Sequence, residues 1–549
     1  MQKAEPLSHV QGHRGTMHYQ KLQNAVFDVL GHPDSTLRQS LDHWRAQAFQ
    51  VGGMLNDPDV FRLYYLKAEG LKRYQRGAIA ASERRNKAIA KFREAEHSCG
   101  SANVRLHDVM NKPIDEEIRK WLGRAQTVVT GMLGCINVES LPRHAAFSGG
   151  ASTEHTRLES HPSKKWGAGS HITRKALPYG LAFWRWANVE GLLPEGFNPQ
   201  FQIRESNEVF TVPKNFERDR TCGKEPTWNM FFQKGVGSMI RERLQLEGLL
   251  SPDAQEVHAR LAREASIDRK HATIDLAAAS DTISLALCEL LLPPRLLKLV
   301  MDLRSDLGEV DGVEFPYEKV SSMGNGYTFE LETALFYALA RAVCGNGAKV
   351  SVYGDDIIVP VEYADSLEKL FRFCGFETNT DKTFTIGPFR ESCGGHFFNG
   401  KDVTPFYVEQ LPRNIPEVID LHNRALAWAE RHGSCDPVLP ILREARRLVP
   451  RKYWGPRSES GVLWCEWDEA RPSLHRQPRD HKKPWFAGSW VVKGFKREKV
   501  SQRHDYYVGG LLSSLWGSTV TTSGSYVDLR LATAWHVRRW AQRNMKQQD

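Results

Sequence analysis

The stretch Val350-Ser351-Val352-Tyr353-Gly354-Asp355-Asp356-Ile357-Ile358-Val359-Pro360-Val361 decides how the chain is read. Two apolar, β-branched runs flank Gly-Asp-Asp, which spells strand, tight turn and strand: a hairpin with two carboxylates at its tip. Glycine beside aspartate is ordinary turn chemistry, so a plain hairpin is one reading. Adjacent carboxylates repel, however, and cost stability unless a cation is held between them. Two such acids at the end of buried strands ask for a metal ion, and hard oxygen donors favour magnesium over zinc.

Working outward, the next acid lies in His271-Ala-Thr-Ile-Asp275-Leu-Ala-Ala-Ala-Ser-Asp281. A short apolar strand is expected to run into Asp275, and a turn of small residues leads to Asp281 at the start of a helix. Asp281 alone reads as an N-cap, with Thr282 to Ser284 as the first turn. Asp275 has no such explanation. With that strand beside the hairpin, Asp275 and Asp355 would share two magnesium ions about 3.5 to 4 Å apart, the arrangement that activates a 3′-hydroxyl and steadies a leaving pyrophosphate. Asp356 alternates to the other side of its strand and is expected as a supporting or occasional ligand.

Between these acids, Ser321-Ser322-Met323-Gly324-Asn325-Gly326 feeds an apolar helix expected from Tyr327 to about Val343. Gly324 and Gly326 allow close backbone approach, and Ser322 and Asn325 are able to hydrogen-bond a sugar hydroxyl. Upstream, Val212 to Pro226 gathers Lys214, Arg218, Arg220 and Lys224, cations suited to a triphosphate. Glu217, Asp219 and Glu225 interrupt that run, and taken alone a solvated charge run is the simpler account. Downstream, Asn379-Thr-Asp-Lys382-Thr-Phe384 places an ammonium where it is able to protonate departing pyrophosphate, although a lone lysine is ordinarily surface.

The rest of the chain sets bounds. At 549 residues it exceeds one ordinary core. Residues 1 to about 125 read as mostly helical, and the charged run Ala80 to Glu96 fits a solvated amphipathic helix without chemistry. Residues 145–175 have loop composition, either a mobile surface facing nucleic acid or a plain surface loop. From about 265 to 410 short strands alternate with helices, an α+β layer in which an antiparallel sheet is backed by helices, with boundaries near 260 and 410. Nine scattered cysteines without a C-x-x-C pair argue against a disulfide framework or zinc module and for a reducing compartment. No apolar window of about 18 residues suggests export or membrane spanning. The net charge of +9 is concentrated: residues 471–549 carry 15 Lys and Arg against 5 Asp and Glu, and the remainder carries 59 against 60. Five tryptophans interleave with that basic excess, a mixture that suits phosphates and stacked bases as well as an ordinary basic surface.

Taken in order, these residues resemble the motifs of RNA-dependent RNA polymerases, and most closely the replicase catalytic (beta) subunit of the single-stranded RNA bacteriophages, the levivirus group. The resemblance rests on Thr211-Val-Pro-Lys-Asn215, Ile283 to Pro294, Ser321 to Glu332, Tyr353 to Ile358, Pro388 to Gly394 and Thr404 to Tyr407. It is strongest from about 205 to 410, thinner towards the N-terminus and weakest after about 440. It implies a right-hand architecture: mainly fingers in 1–260 with a nucleotide-binding segment near 212–226, palm in 261–410, and thumb with the basic Trp-rich region in 411–549. It implies Asp275, Asp355 and Asp356 as ligands of two magnesium ions, with manganese as substitute, and Asp281 with Asn325 reading the ribose 2′-hydroxyl. Implied partners are RNA template and product, NTPs, host elongation factors Tu and Ts and a small-subunit ribosomal protein, in the cytoplasm of an infected bacterium and away from membranes.

Two other readings stand beside it. A reverse transcriptase shares the aromatic-x-Asp-Asp hairpin but usually excludes the 2′-hydroxyl with a bulky side chain, where this chain has Ala277-Ala-Ala279, Ser280 and Asp281. A non-catalytic RNA-binding protein using the basic tail leaves the three ordered acids unexplained.

Overall fold

A mostly apolar helix belongs inside a core, and Thr328–Cys344 lies there: 15 of its 17 residues are buried. The computed structural model describes residues 13–475, apart from 35, 76–78, 158–159, 161–164, 167–168, 192–199, 458–460, 467 and 471–472, together with 489–491, 493–498 and 528–533. The described residues fall into two compact units, 81–402 on one hand and 13–80 with those from 403 onward on the other.

In the 81–402 unit a four-stranded sheet runs Glu377–Thr378, His271–Ala277, Asp356–Pro360, Ser351–Tyr353, antiparallel throughout. The mixed helix-and-strand character expected from the alternating pattern is present. Ile274 pairs with Ile357 and Ala272 with Val359, so these side chains share one face and join the core with Leu335, Phe336 and Phe371. The opposite face carries Thr273, Asp275 and Asp356. Behind it, His258 of the helix Ala254–Asp268 holds two serines, Ser351 Oγ at 2.9 Å and Ser392 Oγ at 3.0 Å, linking the hairpin to the strand Phe389–Ser392. A second four-stranded sheet orders Asp219–Lys224, Ser206–Pro213, Leu307–Val310, Val313–Pro316. Its first two strands form a basic hairpin whose base is anchored by buried Glu225, which accepts from Asn207, Gln233 and Ser305.

Three local expectations change. The charged helix, Ala81–Leu106, is not merely solvated: Arg84, Ala88, Phe92, Ala95, Cys99 and Ala102 form a buried stripe at helical spacing. Asp281 is not an N-cap. Ala278 adopts φ +55°, the chain turns through the short 3-10 segment Ala279–Asp281, and the next helix begins at Leu285. The 145–175 stretch is not a plain surface loop throughout, because the buried Lys165 ammonium donates to the carbonyls of Ser148 (2.7 Å) and Gly150 (2.8 Å).

The other unit is built on helices, with His13–Leu30 packed on Leu439–Leu448 and Leu37–Gln47 on Pro58–Glu69. Most of the basic, Trp-rich stretch 471–549 lies outside the described residues; only the strands Ser473–His475, Ser489–Val491, Lys493–Glu498 and Asp528–Thr533 are placed. Among the described residues no helix is long and apolar enough to cross a membrane.

Candidate active site

The hairpin tip is shaped by Gly354, which sits at φ +61° and whose N–H donates to Thr333 Oγ1 at 2.9 Å. A Cβ there would come within 2.7 Å of the Phe329 ring, so only glycine lets the turn lie against the central helix. Asp355 stands in this turn. Asp356 starts the second strand directly opposite Asp275, and residues directly opposite in an antiparallel pair share a face. The two flanking acids of the sheet are thus neighbours, and the third is at the tip beside them.

Asp275 is held firmly. Asn379 Nδ2 donates to one carboxylate oxygen at 2.6 Å, and Lys382 Nζ lies 3.2 Å from the other. Lys382 is shared with Glu391 at 3.7 Å. Burial and the nearby Asp355 charge raise the Asp275 pKa despite Lys382. Burial followed by Asp355 pushes Asp356 up to about 7. A further carboxylate, Glu332, projects from the central helix into the same cavity. It is buried, has no hydrogen-bond or ion-pair partner among the described residues, and is driven well above the ordinary carboxylate range by burial and by Asp355. Asp275, Glu391 and Asp356 thus lie near the Lys382 ammonium, with Asp355 and Glu332 close to one another beside them. Hard oxygen donors in this excess are of the kind that could hold a divalent cation. Among the described residues no group of three or more His, Cys, Asp or Glu side chains converges on one point, and the Asp275 oxygens meet Asn379 and Lys382.

Asp275, Asp355 and Glu332 open on a cavity of about 540 Å³ whose other wall is basic. Lys214, Arg218 and Arg220 line it from the turn of the basic hairpin, and Lys91 joins them from the helix Ala81–Leu106. None of the four has an ion-pair partner among the described residues. Enclosure by protein, then the charges of Arg220, Arg218 and Lys382, lower the Lys214 pKa to about 8. Cations crowded without counter-charge await a polyanion. Lys224 is not among them: it lies at the far end of its strand, opposite Glu208, and pairs with that carboxylate at 2.7 Å. The alternation and length of the strand carry it away from the cavity.

Between the walls lie Asp281, Gly324 and Asn325. The Asn325 side-chain oxygen accepts from the Ser322 N–H at 2.9 Å, which leaves its NH₂ free to face the cavity. Ser322 serves the loop and not the cavity, with its carbonyl accepting from Thr328 Oγ1 at 2.9 Å. Of the residues singled out in the sequence, the structure brings Asp275, Asp355, Lys382, Lys214, Arg218, Arg220, Asp281, Gly324 and Asn325 to the cavity lining, sets Asp356 opposite Asp275 in the sheet but outside that lining, and leaves Ser322 and Lys224 outside it as well. Sequence reasoning missed Glu332, Lys91, Glu391 and Asn379. Asn379 lay inside the motif that supplied Lys382, and Glu332 closed the glycine-loop motif; Lys91 gave no signal, since one lysine among many on a charged helix looks solvated.

The family described as RNA replicase, beta-chain, matches residues 18–462. The chain is 42% identical over 414 residues to the RNA-directed RNA polymerase subunit beta of Escherichia virus Qbeta, covering 72% of this chain and 67% of that protein. It is 38% identical over 414 residues to the RNA-directed RNA polymerase beta chain of Escherichia phage MS2, covering 72% and 74%. Among solved structures, the BmCPV RNA-dependent RNA polymerase at elongation state aligns over 61% of this chain and 33% of that one, at TM-score 0.39 and 11% identity, a distant likeness. On this family profile and these identities, the chain belongs to the RNA replicase beta-chain family and is an RNA-directed RNA polymerase.

Proposed function

We propose that the chain replicates a single-stranded RNA phage genome by nucleotidyl transfer from NTPs, with Asp275, Asp355 and Asp356 holding two magnesium ions, or manganese in their place. The observation that carries this reading is one cavity with uncompensated carboxylates on one wall and unpaired cations on the other. Bound magnesium supplies Lewis acidity towards the reacting oxygens and neutralises the leaving pyrophosphate. Lys214, Arg218, Arg220 and Lys91 grip the triphosphate and orient its α-phosphate. Asp281 accepts from the ribose 2′-hydroxyl and the Asn325 NH₂ donates to it, which distinguishes this site from that of a reverse transcriptase. Lys382, held between Asp275 and Glu391, is placed to hand a proton to pyrophosphate. The sheet region within 261–410 is the palm of a right-hand polymerase, with fingers in 1–260 and thumb in 411–549. Elongation factors Tu and Ts and a small-subunit ribosomal protein are the partners in the host cytoplasm; the support for these is the family resemblance.

Metal binding is testable without catalysis. Asp356, Glu332 and Asp275 have raised pKa values in the metal-free fold, so their contribution to stability is present at low pH and is lost as pH rises through those values, about 7 for Asp356. In EDTA the melting temperature should fall between about pH 6 and pH 8. Magnesium should raise it more at the higher pH, because the ion displaces protons. An equal magnesium effect at both pH values would argue against these carboxylates as ligands. For the basic wall, Lys214→Met is expected to raise the NTP KM by about 10- to 100-fold, the worth of one charge-assisted contact. In the parent enzyme KM should begin to rise as pH passes about 8, where free Lys214 loses its proton. A flat KM profile that Lys214→Met does not change would remove Lys214 from the triphosphate site.

A further inference from the structure

Lys319 is a lysine with no access to solvent, its side chain 1% exposed, at the end of the segment that follows the strand Val313–Pro316. Its ammonium lies 2.8 Å from Asp281 Oδ1 and 3.1 Å from Glu96 Oε1, and 3.9 Å from the Phe92 ring centroid. Burial opposes its charge, but Asp281 and Glu96 outweigh that and hold it protonated. A fully buried charge persists only where its partners are fixed, and these are. Val320 N–H donates to Ile283 O at 2.8 Å and Leu285 N–H to Glu318 O at 3.2 Å, zipping the lysine's own strand onto the chain just after Asp281. Glu96 accepts from the Glu318 N–H at 2.9 Å, tying in the helix Ala81–Leu106.

The consequence falls on the Asp281 carboxylate. Its Oδ1 is committed to Lys319. Among the described residues its Oδ2 accepts only from the Thr221 hydroxyl, at 3.5 Å, too long for a strong bond, and Asp281 borders the cavity. A carboxylate with one oxygen clamped cannot rotate away, so the other stays presented to the cavity as a hydrogen-bond acceptor.

We propose that Lys319, backed by Glu96, is a positioning residue for sugar selection, clamping Asp281 so that its free oxygen meets the 2′-hydroxyl of the incoming nucleotide. This rests on the reading of Asp281 and Asn325 as the sugar-recognising pair. Lys319 touches neither substrate nor metal; it acts through Asp281. Without it, Asp281 and Glu96 become two enclosed carboxylates sharing no cation, and Asp281 is free to turn aside. That change weakens NTP binding and spares dNTP binding, because only the NTP uses that oxygen.

The test is single-nucleotide incorporation by the full chain with NTP and with dNTP, comparing kcat/KM for the parent, Lys319→Met and Asp281→Ala. Lys319→Met is expected to cut the preference for NTP by about 10- to 100-fold, chiefly through a higher NTP KM, as fits the loss of one charged hydrogen bond. Should Lys319→Met fail to fold, Lys319→Met/Glu96→Gln removes one charge of each sign from the buried group and is expected to show the same loss. If the folded variant slows both substrates equally and keeps the parent preference, while Asp281→Ala loses it, Lys319 is purely structural and the proposal is overturned. If Asp281→Ala also keeps the parent preference, the sugar-reading role of Asp281 fails, and the proposal with it.

Discussion

Asp355→Asn is expected to reduce nucleotide incorporation by at least about 1,000-fold, since loss of a metal-held carboxylate removes several kcal/mol of transition-state stabilisation and each 1.36 kcal/mol is tenfold. RNA binding should be unchanged, because the substitution keeps the side chain's shape and leaves the Gly354 N–H bonded to Thr333. The metal-free protein should melt no lower than the parent, and higher above about pH 7, because Asp355 raises the pKa of Asp356, Glu332 and Asp275. Lost activity with maintained or increased stability separates a functional carboxylate from a structural one. Incorporation and thermal denaturation on the same preparation check both parts, and near-normal activity would remove Asp355 from the metal site.

Gly324→Ala should be nearly as damaging by a different route. Gly324 has φ +123°, and a Cβ would come within 2.2 Å of the Gly223 carbonyl oxygen, a backbone atom that cannot step aside. The loop is docked there by the Gly223 N–H donating to Met323 O at 2.8 Å. An alanine must lift the loop off the basic hairpin, and overpacking plus backbone strain cost about 2 to 6 kcal/mol. Asn325 moves with the loop, and a displacement of about 1 Å at a positioning residue is worth roughly 100-fold in rate. Urea denaturation and steady-state kinetics should therefore both change. Parent-like values in both would mean that the loop has slack that the geometry denies.

Much of the site was legible because its chemistry is local in sequence. A Gly-Asp-Asp between two apolar runs forms its hairpin whatever surrounds it, and the alternation of His271 to Ala277 places Asp275 on the face opposite the core. The glycine-rich loop and the central helix were likewise visible as composition. What was not legible depends on elements that meet only after folding. The role of the helix Ala81–Leu106 was hidden because its polar residues dominate the count while its buried stripe is spread over six turns. Glu96 and Lys319 are more than 200 residues apart, and neither lies in a recognisable motif. The N-cap alternative for Asp281 arose because Ala-Ser-Asp-Thr resembles a helix start, whereas the chain turns at Ala278, φ +55°, and the helix starts at Leu285. Lys224 was grouped with its basic neighbours by sequence distance, and strand geometry sends it to Glu208 instead.

The most direct measurement of the central claim is synthesis on a single-stranded RNA template, with the purified chain, magnesium and labelled NTPs or dNTPs, alone and with elongation factors Tu and Ts. The account predicts RNA complementary to the template, made from NTPs and abolished by EDTA, with the factors present if not without them. Product made preferentially from dNTPs, or no product in either condition from a folded chain that binds RNA tightly, would contradict it.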